Sequence, residues 1–283
     1  LRGGPHVNTW SRALWRLVWE PEPRPGPWNM AVDEALLASV AEGASPPILR
    51  FYAWAPPCLS LGVNQPYTDV DEARLRARGW DVVRRPTGGR AILHTDELTY
   101  AVLAPAHEPR VQGDVLTAYR NLAQGLLAGL RHLGLSVALE EHRQAWEQQR
   151  HHPVCFHVPA IYEITVQGKK ILGSAQSRKL HGVLQHGTLP LYGDITRILD
   201  ALAFADESAR VQARERLRAR ATTVAEVLGR PVSWEEAARA LLRGFEEALN
   251  LVFDEQPLTP EERARAQKLM ETKYGHPDWT RRK

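Results

Sequence analysis

Apolar residues recur along this chain in two rhythms. Residues 28–40 (WNMAVDEALLASV), 69–78 and 116–133 carry them at helical spacing, whereas 48–54 (ILRFYAW) and 58–63 (CLSLGV) are short continuous runs of the kind buried strands make. Pro56-Pro57 separates those two runs, and a hairpin is predicted there. Further strands are expected at 80–85 (WDVVRR) and 97–104 (ELTYAVLA), with the segment PTGGRAILH as a loop between them. A second strand-rich stretch follows at 161–167, 170–177 and 182–192, after which the pattern turns helical. Pro21 to Pro27 reads as a linker feeding the first helix. Ser233-x-x-Glu236 and Thr259-Pro260-Glu261-Glu262 are capping-box signals, the second with proline at the first helical position. The pattern predicts a mixed α/β domain over residues 1–250 with a short helical tail over 251–283.

Composition supports that picture and narrows it. With 283 residues, 43% hydrophobic and 24% charged, the chain can bury a sizeable core. No run approaches the roughly 18 apolar residues of a membrane helix, and the opening residues lack the apolar stretch of a signal peptide, so a soluble, cytoplasmic protein is expected. A net charge of +3 is too small for a nucleic-acid-binding or membrane-binding surface and suits acidic protein partners at most. The type of cation says more. There are thirty arginines and six lysines, which reads as arginine serving wherever a surface cation suffices, yet three of the lysines fall between 169 and 179. Either chance or a need for an amine, and not merely a charge, accounts for that cluster.

Two places carry candidate chemistry. Arg84-Arg85-Pro86-Thr87-Gly88-Gly89-Arg90-Ala91-Ile92-Leu93-His94 runs from a strand end into a diglycine loop, where backbone N–H groups can face an anionic or carbonyl oxygen and the arginines add cationic donors. It lacks the spacing and the Lys-Ser/Thr ending of a Walker loop. The second place is Cys155 among His151, His152 and His157, followed by Lys170. A thiol with pKa near 8.5 gains reactivity beside a cation. The histidines lack the second ligand pair of a zinc site, so no metal is expected. Cys58, on an apolar strand, reads as inert packing.

RRPTGGRAILH, GKKILGSAQ and LQHGTLPL, together with NMAVDEALL, SLGVNQP and ELTY, resemble the motifs of the biotin/lipoate protein ligase superfamily, and within it the cysteine-dependent octanoyltransferases. The resemblance runs from about Trp28 to about Leu249. It implies a large mixed sheet, a smaller sheet and flanking helices, with the acyl chain in a tunnel beneath the diglycine loop. It places the nucleophile on Cys155 and the family's lysine on Lys170. Substrate contacts fall on Arg85, Thr87, Gly88, Gly89, Arg90, Ala91 and His94, then on Gly173, Ser174 and Ala175, and on Gln185, His186 and Gly187.

The reaction so implied needs no cofactor. A Cys155 thiolate attacks the thioester of octanoyl-acyl carrier protein, and the amine of the lipoyl-accepting lysine then converts the enzyme thioester to an amide. The acceptor is a small domain such as the glycine-cleavage H protein or a dehydrogenase lipoyl domain. Three alternatives remain open at this point: an ATP-dependent lipoate or biotin ligase using the same loop, a cysteine-dependent enzyme moving acyl groups between lipoyl-type proteins, and a non-catalytic lipoyl-domain-binding protein.

Overall fold

A computed structural model of the chain describes residues 10–141 and 162–282. Among these the strands are β1 (Ala13–Arg24), β2 (Ile48–Trp54), β3 (Cys58–Leu61), β4 (Asp81–Arg84), β5 (Ile92–His94), β6 (Glu97–Pro105), β7 (Val137–Glu141), β8 (Tyr162–Val166), β9 (Lys169–Lys179), β10 (Gly182–Pro190) and β11 (Leu251–Glu255). The principal helices are α1 (Gly26–Ala41), α2 (Glu72–Ala77), α3 (Val115–His132), α4 (Glu207–Arg220), α5 (Val224–Leu228), α6 (Trp234–Leu249) and α7 (Pro260–Leu269).

The strands form the large mixed sheet and the smaller sheet that the sequence led us to expect. Eight strands run in the order β11-β1-β2-β6-β10-β9-β8-β7, and three in the order β4-β3-β5. In the large sheet β1 is parallel to both β2 and β11, and every other pairing is antiparallel. Alternate residues of its strands feed two cores. On one face Trp15, Leu49, Phe51 and Val102 pack with α3 and α6, and on the other Val18, Ile48, Tyr52 and Leu103 pack with α1. A third core, built on Leu59, Leu61, Leu199 and Leu217, fills the space beneath the small sheet. The α3–α6 crossing is close because glycines line it: a Cβ on Gly244 would stand 2.1 Å from the Gly129 nitrogen. No helix among the described residues is long and apolar enough to cross a membrane.

Three local expectations are corrected. Residues 48–54 and 58–61 do not pair as a hairpin; they belong to different sheets, and the Ala55-Pro56-Pro57 turn carries the chain from one to the other. The segment read as a linker is in part strand, because β1 continues through Glu20 to Arg24 with a register irregularity between them. Prolines are tolerated at such a bulged, exposed stretch because no ladder hydrogen bond is required of them. Within the expected loop PTGGRAILH, Ile92–His94 pairs antiparallel with β3, which pins the far end of the diglycine turn.

The cap signals are realised differently. Thr259 and Glu262 form the full reciprocal box, whereas Ser233 accepts from the Glu236 N–H while the Glu236 carboxylate turns to Arg230 at 2.7 Å. Beyond position 250, β11 is hydrogen-bonded into the large sheet. The segment after it packs along α1 and against β4, with Trp279 Nε1 donating to the Arg84 carbonyl at 2.8 Å.

Candidate functional site

Between the two sheets lies a cleft walled by Met30 of α1, Trp54 of β2, Ser60 of β3, Ile92 and His94 of β5, and the Gly173–Ala175 and His186–Thr188 stretches of β9 and β10. It encloses about 360 Å³ of empty space, its mouth included. The lining is mainly apolar with a few polar atoms, as in sites for small organic ligands. Glycines shape its floor. A Cβ on Gly187 would meet the Gly173 carbonyl at 2.5 Å and the Tyr100 ring at 2.6 Å, so a larger residue would press on β9 and displace Tyr100 from Ser174 Oγ, 2.7 Å away.

The roof is the diglycine loop, and Arg85 holds it. Its Nη2 donates to the carbonyls of Gly88 (2.7 Å) and Arg90 (2.8 Å), and its Nη1 donates to the Ser60 carbonyl (3.0 Å) and hydroxyl (3.2 Å). Gly89 takes φ +89°, a left-handed conformation that favours glycine. Its carbonyl lies so near Gly62 that a Cβ there would stand 1.9 Å from the oxygen. Arg84 is buried as well and donates to the carbonyls of Gly62 (2.8 Å), Gln65 (2.6 Å) and Thr280 (3.1 Å). Arginine does more here than serve as a surface cation. Arg16, Arg50, Arg84, Arg85, Arg110 and Arg210 are all buried. A planar fork of donors that keeps its charge can satisfy several interior carbonyls and carboxylates at once.

Two histidines link the roof to the sheets. His186 Nδ1 meets Asp33 Oδ2 at 2.9 Å, and its Nε2 meets Thr87 Oγ1 at 2.7 Å. Asp33 is itself held by Arg50 Nη1 (2.7 Å) and the Tyr52 hydroxyl (3.0 Å), and Arg50 Nε donates to Glu20 at 2.7 Å. Burial pushes the His186 pKa down, against the pull of Asp33. Burial would raise that of Asp33, but His186 and Arg50 hold it below the usual carboxylate value. A neutral His186 with its proton on Nδ1 then accepts from Thr87. The second histidine, His94, takes Glu97 Oε1 on Nδ1 at 2.6 Å, Ser60 Oγ on Nε2 at 2.8 Å, and stacks on Trp54 at 3.9 Å with 7° between the planes. Ser60, His94 and Glu97 have the bonding order of a hydrolase triad. With Arg85 also donating to that buried hydroxyl, the arrangement braces the roof.

The residues expected from sequence thus divide. Arg85, His94, Gly173, Ser174, Ala175, His186 and Gly187 line the cleft. Thr87 reaches its rim through His186, and Gly88, Gly89 and Arg90 form the loop above it. Ala91 packs into the core under the small sheet, and Gln185 points away from the cleft, bonded to Gln176 and to the Tyr100 hydroxyl at 3.0 Å each. Lys170 lies outside the cleft walls, buried on β9 beside Glu163 with Nζ–Oε1 at 2.9 Å, while Lys169 faces the other way toward Glu226 at 3.7 Å. Cys155 and its neighbouring histidines lie outside the described residues. Cys58 is buried with its thiol pKa pushed well up by burial, as expected of inert packing. Asp33, Ser60, Glu97 and Glu163 were not singled out from the sequence. The available signal was a charge inside an apolar stretch: Asp33 in NMAVDEALL and its partner Arg50 in ILRFYAW.

The lipoyl protein ligase A/B catalytic domain family matches residues 25–246. Octanoyltransferase LipM of Symbiobacterium thermophilum is 42% identical over 95% of this chain and 98% of its own length, and octanoyltransferase LipM of Geobacillus kaustophilus is 38% identical over the same shares. Among solved structures, a lipoate-protein ligase A bound with ATP superposes with a TM-score of 0.78 at 26% identity, covering 95% of this chain and 99% of that one. A lipoic-acid-bound structure of Ta0514, from T. acidophilum and described as a putative lipoate protein ligase, gives 0.77 at 26% identity over 95% and 100%.

Proposed function

Because this chain belongs to the lipoyl protein ligase A/B catalytic domain family, we propose that the octanoyl transfer named for its relatives is its own activity, with Cys155 carrying the acyl group. The donor is octanoyl-acyl carrier protein. The acceptor is the lipoyl-accepting lysine of a small carrier domain, of the glycine-cleavage H protein or dehydrogenase type, and the reaction takes place in the cytoplasm. The single observation that carries this reading is identity of 36–42% to octanoyltransferases over 89–95% of this chain, on a fold whose apolar cleft is roofed by a diglycine loop held by Arg85.

In this reading the octanoyl chain lies against Met30, Trp54 and Ile92 with its carbonyl beneath the loop. The Cys155 thiolate attacks that carbonyl, loop N–H groups meet the tetrahedral oxyanion while the buried Lys170 ammonium acts on it through its charge from beyond the cleft wall, and the carrier leaves as its thiolate. The acceptor amine then attacks the enzyme thioester, loses a proton, and expels the Cys155 thiolate with an amide formed. One thioester exchanges for another in the first step, so ATP is not consumed. The buried Lys170–Glu163 pair supports an electrostatic role, since an amine held in low dielectric acts strongly on charge developing nearby.

The likeness to an ATP-bound ligase is the observation that favours a second reading, in which the same cleft takes an acyl-adenylate. One experiment separates the two. With octanoyl-carrier alone, intact mass should show one octanoyl adduct that hydroxylamine removes; adding acceptor should transfer it without ATP. Cys155→Ala should abolish adduct and transfer, and Cys58→Ala should keep both. Transfer that persists in Cys155→Ala, or that requires ATP, overturns the proposal.

A further inference from the structure

A second hollow opens on the other side of the wall made by Ile92 and Thr188, the two residues that line both spaces. It encloses about 490 Å³ of empty space, mouth included, and is walled inside by Pro190, Ile195, Ile198 and Leu217. At its mouth stand Tyr192, half exposed, and the Asp96–Arg197 ion pair. Arg214 and Arg218 of α4 come to the same edge, paired with Asp200 (3.1 Å) and Asp194 (3.7 Å). At the junction with the acyl cleft, Thr188 is 1% exposed, and among the described residues its Oγ1 has no hydrogen-bond partner. Burying a hydroxyl without a partner is costly, and a ligand's polar group would remove that cost.

We infer that this second hollow receives the pantetheine arm of the acyl donor, with Thr188 Oγ1 hydrogen-bonded to the amide nearest the thioester. The inference rests on the reading of a carrier-borne thioester donor given above. Three features fit that occupant. The arm is a narrow chain with an apolar dimethyl segment, which suits the Ile195–Ile198–Leu217 interior. Its first amide lies two carbons from the sulfur, and the unpartnered Thr188 hydroxyl stands at the wall the two spaces share, within reach of a chain that passes from one to the other. Its far end is a phosphodiester, which emerges where Arg197 lines the mouth and Arg218 reaches Asp194 at its edge.

The test compares three octanoyl thioesters in ATP-free transfer to an acceptor domain: the 4′-phosphopantetheine donor, the N-acetylcysteamine donor, which keeps only the first amide, and the S-ethyl donor, which has none. Ile195→Trp fills the hollow from a partly exposed turn and should lower kcat/KM for the phosphopantetheine donor about tenfold more than for the N-acetylcysteamine donor. Thr188→Val removes the hydroxyl at nearly constant shape and should lower kcat/KM about fivefold more for the two amide-bearing donors than for the S-ethyl donor. Thermal melts of both variants confirm that the chain is folded. Equal losses on all donors, or a rise in KM for the acceptor domain alone, overturn the assignment, the latter by giving the hollow to the acceptor lysine. A wild-type protein that transfers from none of the donors sinks the octanoyltransferase reading itself, which is a different outcome.

Discussion

Replacing Arg85 by lysine keeps a positive charge at the cleft and removes the fork that the roof hangs from. The guanidinium spans the carbonyls of Ser60, Gly88 and Arg90 and the Ser60 hydroxyl at 2.7 to 3.2 Å. An ammonium gathers its donors at one point and cannot bridge β3 and the loop together. The carbonyls of Gly88 and Arg90 belong to a partly exposed loop, so water replaces their lost donors at little cost. Ser60 is fully buried, so water cannot replace the charged donor that its carbonyl and hydroxyl lose, at a cost of about 1–3 kcal/mol. With the lost charge-assisted bonds, the total loss comes to about 2–4 kcal/mol. That is less than the ~5–15 kcal/mol of an ordinary folded chain, so the variant folds.

Activity should suffer more than stability. The loop's N–H groups are held in place by these bonds, and a displacement of about 1 Å at a catalytic group costs roughly a hundredfold in rate. Urea denaturation followed by tryptophan fluorescence gives the first quantity, and octanoyl transfer read by intact mass gives the second. If Arg85→Lys matches the wild type in stability and stays within threefold in kcat/KM, the fork does not hold the roof and the positional argument fails.

Further outcomes follow from the same geometry. His186 has a folded pKa below its ordinary value, so the unfolded chain takes up that proton first; stability should therefore decline as pH falls below about 6.5 and level off once the folded pKa is passed. Asp33, with its pKa lowered, contributes stability above about pH 4 that is lost as pH falls through its folded pKa. Denaturation midpoints across pH in wild type and His186→Gln measure the first effect, and an unchanged slope between pH 5 and 7 would show that His186 does not carry it. Lys170→Arg should be nearly as harmful to turnover as Lys170→Ala, because the buried site beside Glu163 is fitted to a compact ammonium. Lys169→Arg, beside the exposed Glu226, should be tolerated; near-normal turnover of Lys170→Arg would reduce the lysine to a replaceable charge.

The amino-acid sequence by itself determined what depends on local periodicity and on residue chemistry. The α1, α3 and α6 helices, the β9 and β10 strands, the Thr259–Glu262 box, the diglycine loop and the buried place of Cys58 were all legible, because each rests on neighbours in the chain. Opposite facing of Lys169 and Lys170 was legible for the same reason, since strand residues alternate. What only the tertiary structure decided are the pairings between distant segments. Ile48–Trp54 and Cys58–Leu61 look like hairpin partners in sequence, yet β2 finds β1 and β6 while β3 finds β4 and β5, because burial on two sheets outweighs the short connection. Asp33 and His186 are 153 positions apart, and Arg16 and Glu262 are 246 apart. Periodicity cannot report such pairs, since a buried charge is stable only where the fold brings its counter-charge, and that encounter is a property of the closed structure.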